Sequence, residues 1–326
     1  MHDSIRKTLY CVAAIVAIIL CVVTPAHAEY PERPVRIFVP FPPGGAVDLV
    51  ARLLAARLAV DLGRPFLVES KAGAGGILAT DAVAKAAADG YTLLLTTPNH
   101  TINAALNPRL PYDTERDLAP IAIVAEIPEV LVSHPAAPFA DFHGFVDYAR
   151  SHPGKLNYAS AGIGTLPHVS MELMLRGLGL QVTHVPYKGA APAMTDLLAG
   201  QVQLKMDTYA TSTQYVAAGK LRALAIASRM RSTLMPDVPT VAGQGLSGYE
   251  GILWIGMMAP AGTPKAIVDK LAAASARAVR TPEMVERFRH DGIEPGGDTL
   301  DAFGARISRE IAQWRALIRS SNIKAE

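Results

Sequence analysis

The chain has 326 residues, half of them hydrophobic and 18% charged, enough for two lobes of about 150 residues each and a large core. Its 31 basic residues against 29 acidic ones give a net charge of +2. No Lys/Arg block or basic tail occurs, which argues against a nucleic-acid partner.

The first element reads as a secretory leader. Arg6 and Lys7 precede the apolar run CVAAIVAIILCVV, and Ala26-His27-Ala28 supplies an A-x-A cleavage signal, so cleavage is expected after Ala28. The apolar run is too short for a spanning helix, and Leu20 before Cys21 is too bulky for a lipoprotein signal. Cys11 and Cys21 both lie in this leader, so the exported chain would carry no disulfide, thiolate nucleophile or Cys-ligated metal. Without Arg6, Lys7 and Asp3 it keeps 29 basic and 28 acidic residues, a net charge near +1. No second apolar segment is long enough to span a bilayer, which predicts a soluble protein in the periplasm.

From there, short apolar runs alternate with amphipathic ones. VRIFV (35–39), FLVE (66–69) and YTLLLTT (91–97) read as strands, with helices over 46–62 and 76–87 between them. IAIVAEIPEVLVSHP (121–135) reads as a long extended stretch interrupted by Pro128. Helices over 142–151, from Pro167 and over 190–199 then alternate with strands over 157–159, 181–185 and 201–207. LRALAIAS (221–228) and ILWIGMMAP (252–260) are further strands, followed only by helices over 264–281, 282–291 and 299–320. This alternation predicts an α/β fold with mostly parallel sheets. Extended chain runs longest at 121–135 and 249–260. Crossing between lobes at both places would give one discontinuous lobe, 29–127 with 253–326, and a second lobe, 128–252. The ligand cleft would then lie between two lobes joined by two hinge strands.

Three loops stand out for chemistry. In VPFPPGGAVD (39–48) the prolines lack an N–H and stiffen the strand end, while Gly44 and Gly45 let the backbone approach a ligand. The helix that follows adds unpaired amides and a partial positive charge suited to an anion, with Asp48 in its first turn. An ordinary strand-to-helix turn explains this loop as well. NYASAGIGTLPHVSMELML (157–175) repeats the plan with Ser160, Gly162, Gly164 and Thr165, Thr165 standing as the candidate N-cap and His168 as a supporting first-turn residue. KAGAGGI (71–77) is a third such connection. Thr96, Thr97 and Asn99 follow a buried strand toward the same region, and Tyr187 and Lys188 border it from a further loop. Three loops of this kind point to helix N-termini aimed at a carboxylate.

These residues resemble the solute-binding receptors of tripartite tricarboxylate transporters, the Bug family. The resemblance runs through PFPPGGAVD (40–48), GAGG (73–76), DAVAKAAADGYTLLL (81–95) and AIVAEIPEVLVSHP (122–135). It continues through PGKLNYASAGIGT (153–165), VPYKGAAPA (185–193), GQVQLKMD (200–207) and MPDVPTVAGQGLSGYE (235–250). It implies a two-lobed type II periplasmic binding protein. Such a receptor would hold a small carboxylate and deliver it to the membrane components of the transporter, without cofactor or metal and as a monomer. Carried over by motif, it implicates Phe41, Gly44, Gly45 and Asp48, then Ser160, Gly162, Gly164 and Thr165, and places Asp207 at the acidic position facing the cleft. Ser70, Ile77 and Ile163 stand where the family commonly has Asn, which leans toward a more apolar ligand than citrate.

Two rival classes remain. A carboxylate sensor would use the same site and present its closed form to a membrane signalling protein. An anion-binding enzyme is disfavoured: no G-x-S-x-G, no H-E-x-x-H and no full G-x-G-x-x-G after a strand is present, and the nine histidines lack metal-ligand spacing.

Overall fold

The strand and helix patterns condense into ten strands and ten α-helices among the described residues of a computed structural model, which covers 30–232, 235–297, 300–321 and 323. The leader, its cleavage point and both cysteines lie outside the described residues. No helix among the described residues is long and apolar enough to cross a membrane.

The first half follows the sequence pattern closely. Strand β1 (Val35–Val39) leads into helix α1 (Ala46–Leu62), β2 (Phe66–Ser70), α2 (Ile77–Ala84) and β3 (Thr92–Thr96). β1 pairs in parallel with β2 on one side and β3 on the other. Its buried positions occur on both faces, as expected for a parallel strand covered by helices. A helix not foreseen from the sequence, α3 (Asn99–Leu106), follows directly.

The long strand β4 (Leu118–Ser133) then crosses the molecule without interruption, correcting the expected break at Pro128. From Leu118 to Pro128 it pairs antiparallel with β9 (Ile252–Pro260), and from Glu129 to Ser133 with β7 (Leu204–Thr208). Pro128 is tolerated because its edge of β4 is unpaired there, between the short segment Glu294–Pro295, which reaches Glu126, and β7, which begins at Glu129; on the opposite edge the Glu129 amide donates to the Gly251 carbonyl at 3.0 Å.

The second half comprises α4 (Phe142–Ser151), β5 (Asn157–Ser160), α5 (Leu166–Leu178), β6 (Thr183–Pro186) and α6 (Ala190–Leu198) ahead of β7, then α7 (Tyr209–Ala217) and β8 (Arg222–Ile226). α7 was also not foreseen. β5 lies parallel to both β6 and β7, while β8 pairs antiparallel with β4. After β9 come α8 (Lys265–Ala278), α9 (Pro282–His290), β10 (Glu294–Pro295) and α10 (Leu300–Ser321). The short β10, antiparallel to β4, replaces the all-helical ending that the pattern suggested. The outer strands are thus parallel, and the antiparallel pairs gather around β4 and β9.

The register fixes which strand ends meet. Thr96 at the end of β3 lies opposite Gly256, itself opposite Ile123 of β4, whereas Thr208 at the end of β7 lies opposite Glu129. β3 and β7 therefore advance on the middle of β4 from opposite directions. The six residues from Ile123 to Glu129 separate these levels by about 20 Å. Helix α10 ties the halves together. Its Phe303, Ile307 and Ile311 pack with the first-half residues Phe38 and Leu94, while Trp314, Leu317 and Ile318 join Ile102 of α3 and Leu166 and Val169 of α5 in one buried cluster.

Candidate functional site

The loop after β1 is held at both ends. Ser70 Oγ donates to the Phe41 carbonyl at 2.7 Å, and the Gly44 amide donates to Asp48 Oδ2 at 3.0 Å. Gly44 takes φ +94, a left-handed conformation in which a side chain is strained. Asp48 also accepts from Arg52 Nε at 3.0 Å, and this bond, with the Gly44 amide, holds its carboxyl below the usual range against the opposing effect of burial. Asp48 thus braces the loop instead of facing out of it. Gly45, at the N-cap of α1, is exposed, and its amide donates to no protein group among the described residues. Nearby, Thr97 carries a buried hydroxyl with no partner among the described residues, and Asn99 opens α3 half-buried.

The loop between β5 and α5 is held in the same manner. Ser160 is fully buried, its hydroxyl 2.7 Å from His184 Nε2 and accepting from the Gly162 amide at 3.2 Å. The Gly164 amide donates to His168 Nδ1 at 3.0 Å. Thr165 stands at the N-cap position, but its hydroxyl turns back to the Gly162 carbonyl at 2.7 Å and does not cap the helix. The Ser160 and Thr165 hydroxyls and the Gly162 and Gly164 amides are therefore partnered within the loop or by the elements flanking it. The amides of Ala161 and Ile163 are left without a protein acceptor among the described residues. Ile163 at the loop tip is 36% exposed.

Two further candidates are also internally partnered. Tyr187 donates its hydroxyl to Asp196 Oδ2 at 2.7 Å, and burial with that carboxylate pushes the phenol up to about 12. Asp207, at the buried end of β7, forms an ion pair with Lys205 and accepts from Thr211 Oγ1 at 2.7 Å. Lys205 is itself fully buried, so the pair is close to neutral as a unit and organises the turn from β7 into α7. Lys205 was not singled out from the sequence. A lysine within an apolar strand, two residues from an acid, was the available signal. Lys188 is exposed, and Trp254 is core.

The candidates thus fall into two groups. Phe41, Gly44, Gly45, Asp48, Thr97 and Asn99 lie beyond the ends of β1 and β3; Ser160, Gly162, Gly164, Thr165, Tyr187 and Asp207 lie at or beyond the ends of β5, β6 and β7. The second group meets the end of α3, the helix that Asn99 opens, where a Cβ on Gly164 would come within 2.6 Å of Leu106 Cδ2. No cluster of three or more His, Cys, Asp or Glu able to hold a metal occurs among the described residues. A groove of about 860 Å³ between the Asn107–Asp117 segment and α10 contains none of these residues.

The profile described as "Tripartite tricarboxylate transporter family receptor" matches residues 50–323. Protein BugT of Bordetella pertussis is 37% identical over 306 residues, covering 93% of this chain and 94% of its own. An R. palustris protein solved with adipate superposes with a TM-score of 0.79 at 34% identity, covering 91% of this chain and 99% of that one. MatC from Rhodopseudomonas palustris with bound malate gives 0.75 at 36% identity, covering 89% and 100%. The periplasmic binding protein BugD gives 0.75 at 35% identity, covering 91% and 100%. The fold is that of the two-lobed periplasmic binding proteins, and these relatives are solute-binding receptors, not enzymes.

Proposed function

The chain belongs to the tripartite tricarboxylate transporter receptor family, and from that premise we propose that it binds a small carboxylate between its two braced loops. The observation that carries this reading is the pair of loops advancing on the middle of β4 from opposite ends, each with free amides ahead of a helix N-terminus. Gly45 contributes from one side, Ala161 and Ile163 from the other. Backbone amides and helix fields together suit an anion. A charge-assisted hydrogen bond contributes about 1.5–3 kcal/mol, so three of them support binding from about millimolar to micromolar.

In this reading the lobes are 29–127 with 253–326, and 128–252, hinged on β4 and β9. The change of β4 partner between Pro128 and Glu129, opposite Ile252, supports those boundaries. The bound acid closes the lobes, and the closed form is recognised by the membrane components of a tripartite transporter. The receptor is exported, cleaved after Ala28 and monomeric. Relatives solved with adipate and malate, both dicarboxylates, and the apolar Ile163 at the loop tip favour a ligand less polar than citrate.

Calorimetry with malate, adipate, succinate and citrate tests the reading. At least one acid should bind, its neutral diamide should not, and Gly164→Pro should abolish binding while the fold survives. Absence of binding by every acid would refute it. Capture of membrane proteins with and without ligand separates a transporter from a signalling partner.

A further inference from the structure

Beneath the Ser160–Thr165 loop stands a column of three rings. His168 stacks on His184 with centroids 4.0 Å apart and planes within 9°, and His184 stacks on Tyr158 at 4.8 Å. The foot of the column is fixed by Tyr158, whose hydroxyl donates to Glu172 Oε1 at 2.6 Å. Its upper rings meet the loop at two points: His184 Nε2 at the Ser160 hydroxyl, and His168 Nδ1 at the Gly164 amide. His168 is 4% exposed.

We propose that His168 is a positioning residue for ligand capture: by accepting the Gly164 N–H it fixes the loop with the Ala161 and Ile163 amides turned toward the ligand. The inference rests on the reading that this loop contacts the carboxylate. Chemically, the Gly164 bond needs an imidazole with a bare Nδ1 and its proton on Nε2. Burial first, then the neighbouring His184, lower the His168 pKa to about 3, which keeps the ring neutral and the acceptor available. A neutral ring also leaves the stack with His184 free of charge repulsion. On the far side of the loop Leu106 of α3 lies beside Gly164, near enough that a Cβ there would come within 2.6 Å of its Cδ2. The loop is therefore set between an acceptor and an apolar wall, and loss of the acceptor frees the turn without removing the wall.

Three proteins test this: wild type, His168→Phe, which keeps a stacking ring but deletes the acceptor, and His168→Asn, whose amide oxygen falls near the position of Nδ1. Two readouts are taken on each, the Kd for malate and adipate and the hydrogen exchange of the Gly164 amide. His168→Phe should weaken binding about tenfold and speed exchange by a similar factor, the effect of one lost buried hydrogen bond. His168→Asn should recover most of both. Wild-type affinity or wild-type exchange in His168→Phe would overturn the proposal, as would an Asn variant no better than Phe. If neither acid binds the wild type, the carboxylate reading has failed separately. Gly164 exchange then decides alone whether His168 holds the loop: unchanged exchange in the Phe variant overturns it, and faster exchange supports it.

Discussion

The hydroxyl of Ser170 lies between the Leu166 carbonyl, at 2.7 Å, and a carboxyl oxygen of Glu129. A serine has one proton to give. Both contacts are hydrogen bonds at once only when Glu129 carries a proton and donates to Ser170. Glu129 is fully buried at the point where β4 changes partner, and burial pushes its carboxyl up to about 8.

Stability should therefore fall with rising pH through this group. The folded protein keeps the proton to about pH 8, whereas an unfolded glutamate releases it near 4.5. The contribution is full below the lower value and lost as pH rises through the upper one, at up to about 1.4 kcal/mol per pH unit. Glu129→Gln cannot ionise and should flatten the decline in Tm between about pH 5 and 9. A decline as steep as that of the wild type would remove Glu129 as its source.

Gly164 should tolerate no side chain. At φ +74 an alanine costs about 1–2 kcal/mol, and its Cβ would meet Leu106 at 2.6 Å. Gly164→Ala should lower both stability and affinity, and adding Leu106→Ala should recover the steric part only. Urea unfolding of the single and double variants separates the two costs, and an unperturbed Gly164→Ala protein would show that α3 does not press on the loop.

Asp48 should act through Gly44. Asp48→Ala removes the acceptor for the Gly44 amide, a loss of about 1 kcal/mol in holding the loop, while Asp48→Asn keeps an acceptor. Arg52 is largely exposed and contributes little. Affinity for a dicarboxylate should fall in the order wild type, Asn, Ala, with Arg52→Ala close to wild type. Equal losses in Asp48→Ala and Arg52→Ala would mean that the ion pair, not the amide, sets the loop.

Arg306 should be a sensitive cation. It is 5% exposed and pairs with Glu126 and, through Nε at 3.1 Å, with Glu310, which also accepts from Trp254 and Thr101. Arg306→Met leaves the partly buried Glu126 and Glu310 carboxylates without their cation, at about 3–5 kcal/mol in urea unfolding. A loss below about 1 kcal/mol would place the network among ordinary surface ion pairs.

Much of the fold was legible. β1 and α1 fall on the residues that the apolar pattern marks, because both are dense in apolar residues that the fold buries. α3 and α7 were missed for a physical reason. NHTINAAL and YATSTQYVA are short, rich in weak helix formers, and form against the tertiary frame. β4 passes through Pro128 because its edge of the strand is unpaired there, which removes the need for the missing N–H. At the candidate site the glycines marked the loops, but not which amides remain free. That depends on Asp48 and His168 reaching back four residues to Gly44 and Gly164, a geometry set by side-chain packing. The facing of the two loop groups follows from β-strand register, which no local motif encodes.

The central claim is that an acid sits between these loops on backbone amides. A crystal structure with whichever dicarboxylate most raises the Tm tests it most directly. The account predicts carboxylate oxygens within about 3.2 Å of the Gly45 amide on one side and of Ala161 or Ile163 on the other. An acid bound elsewhere, such as the groove beside Asn107–Asp117, or held only by side chains, would contradict it.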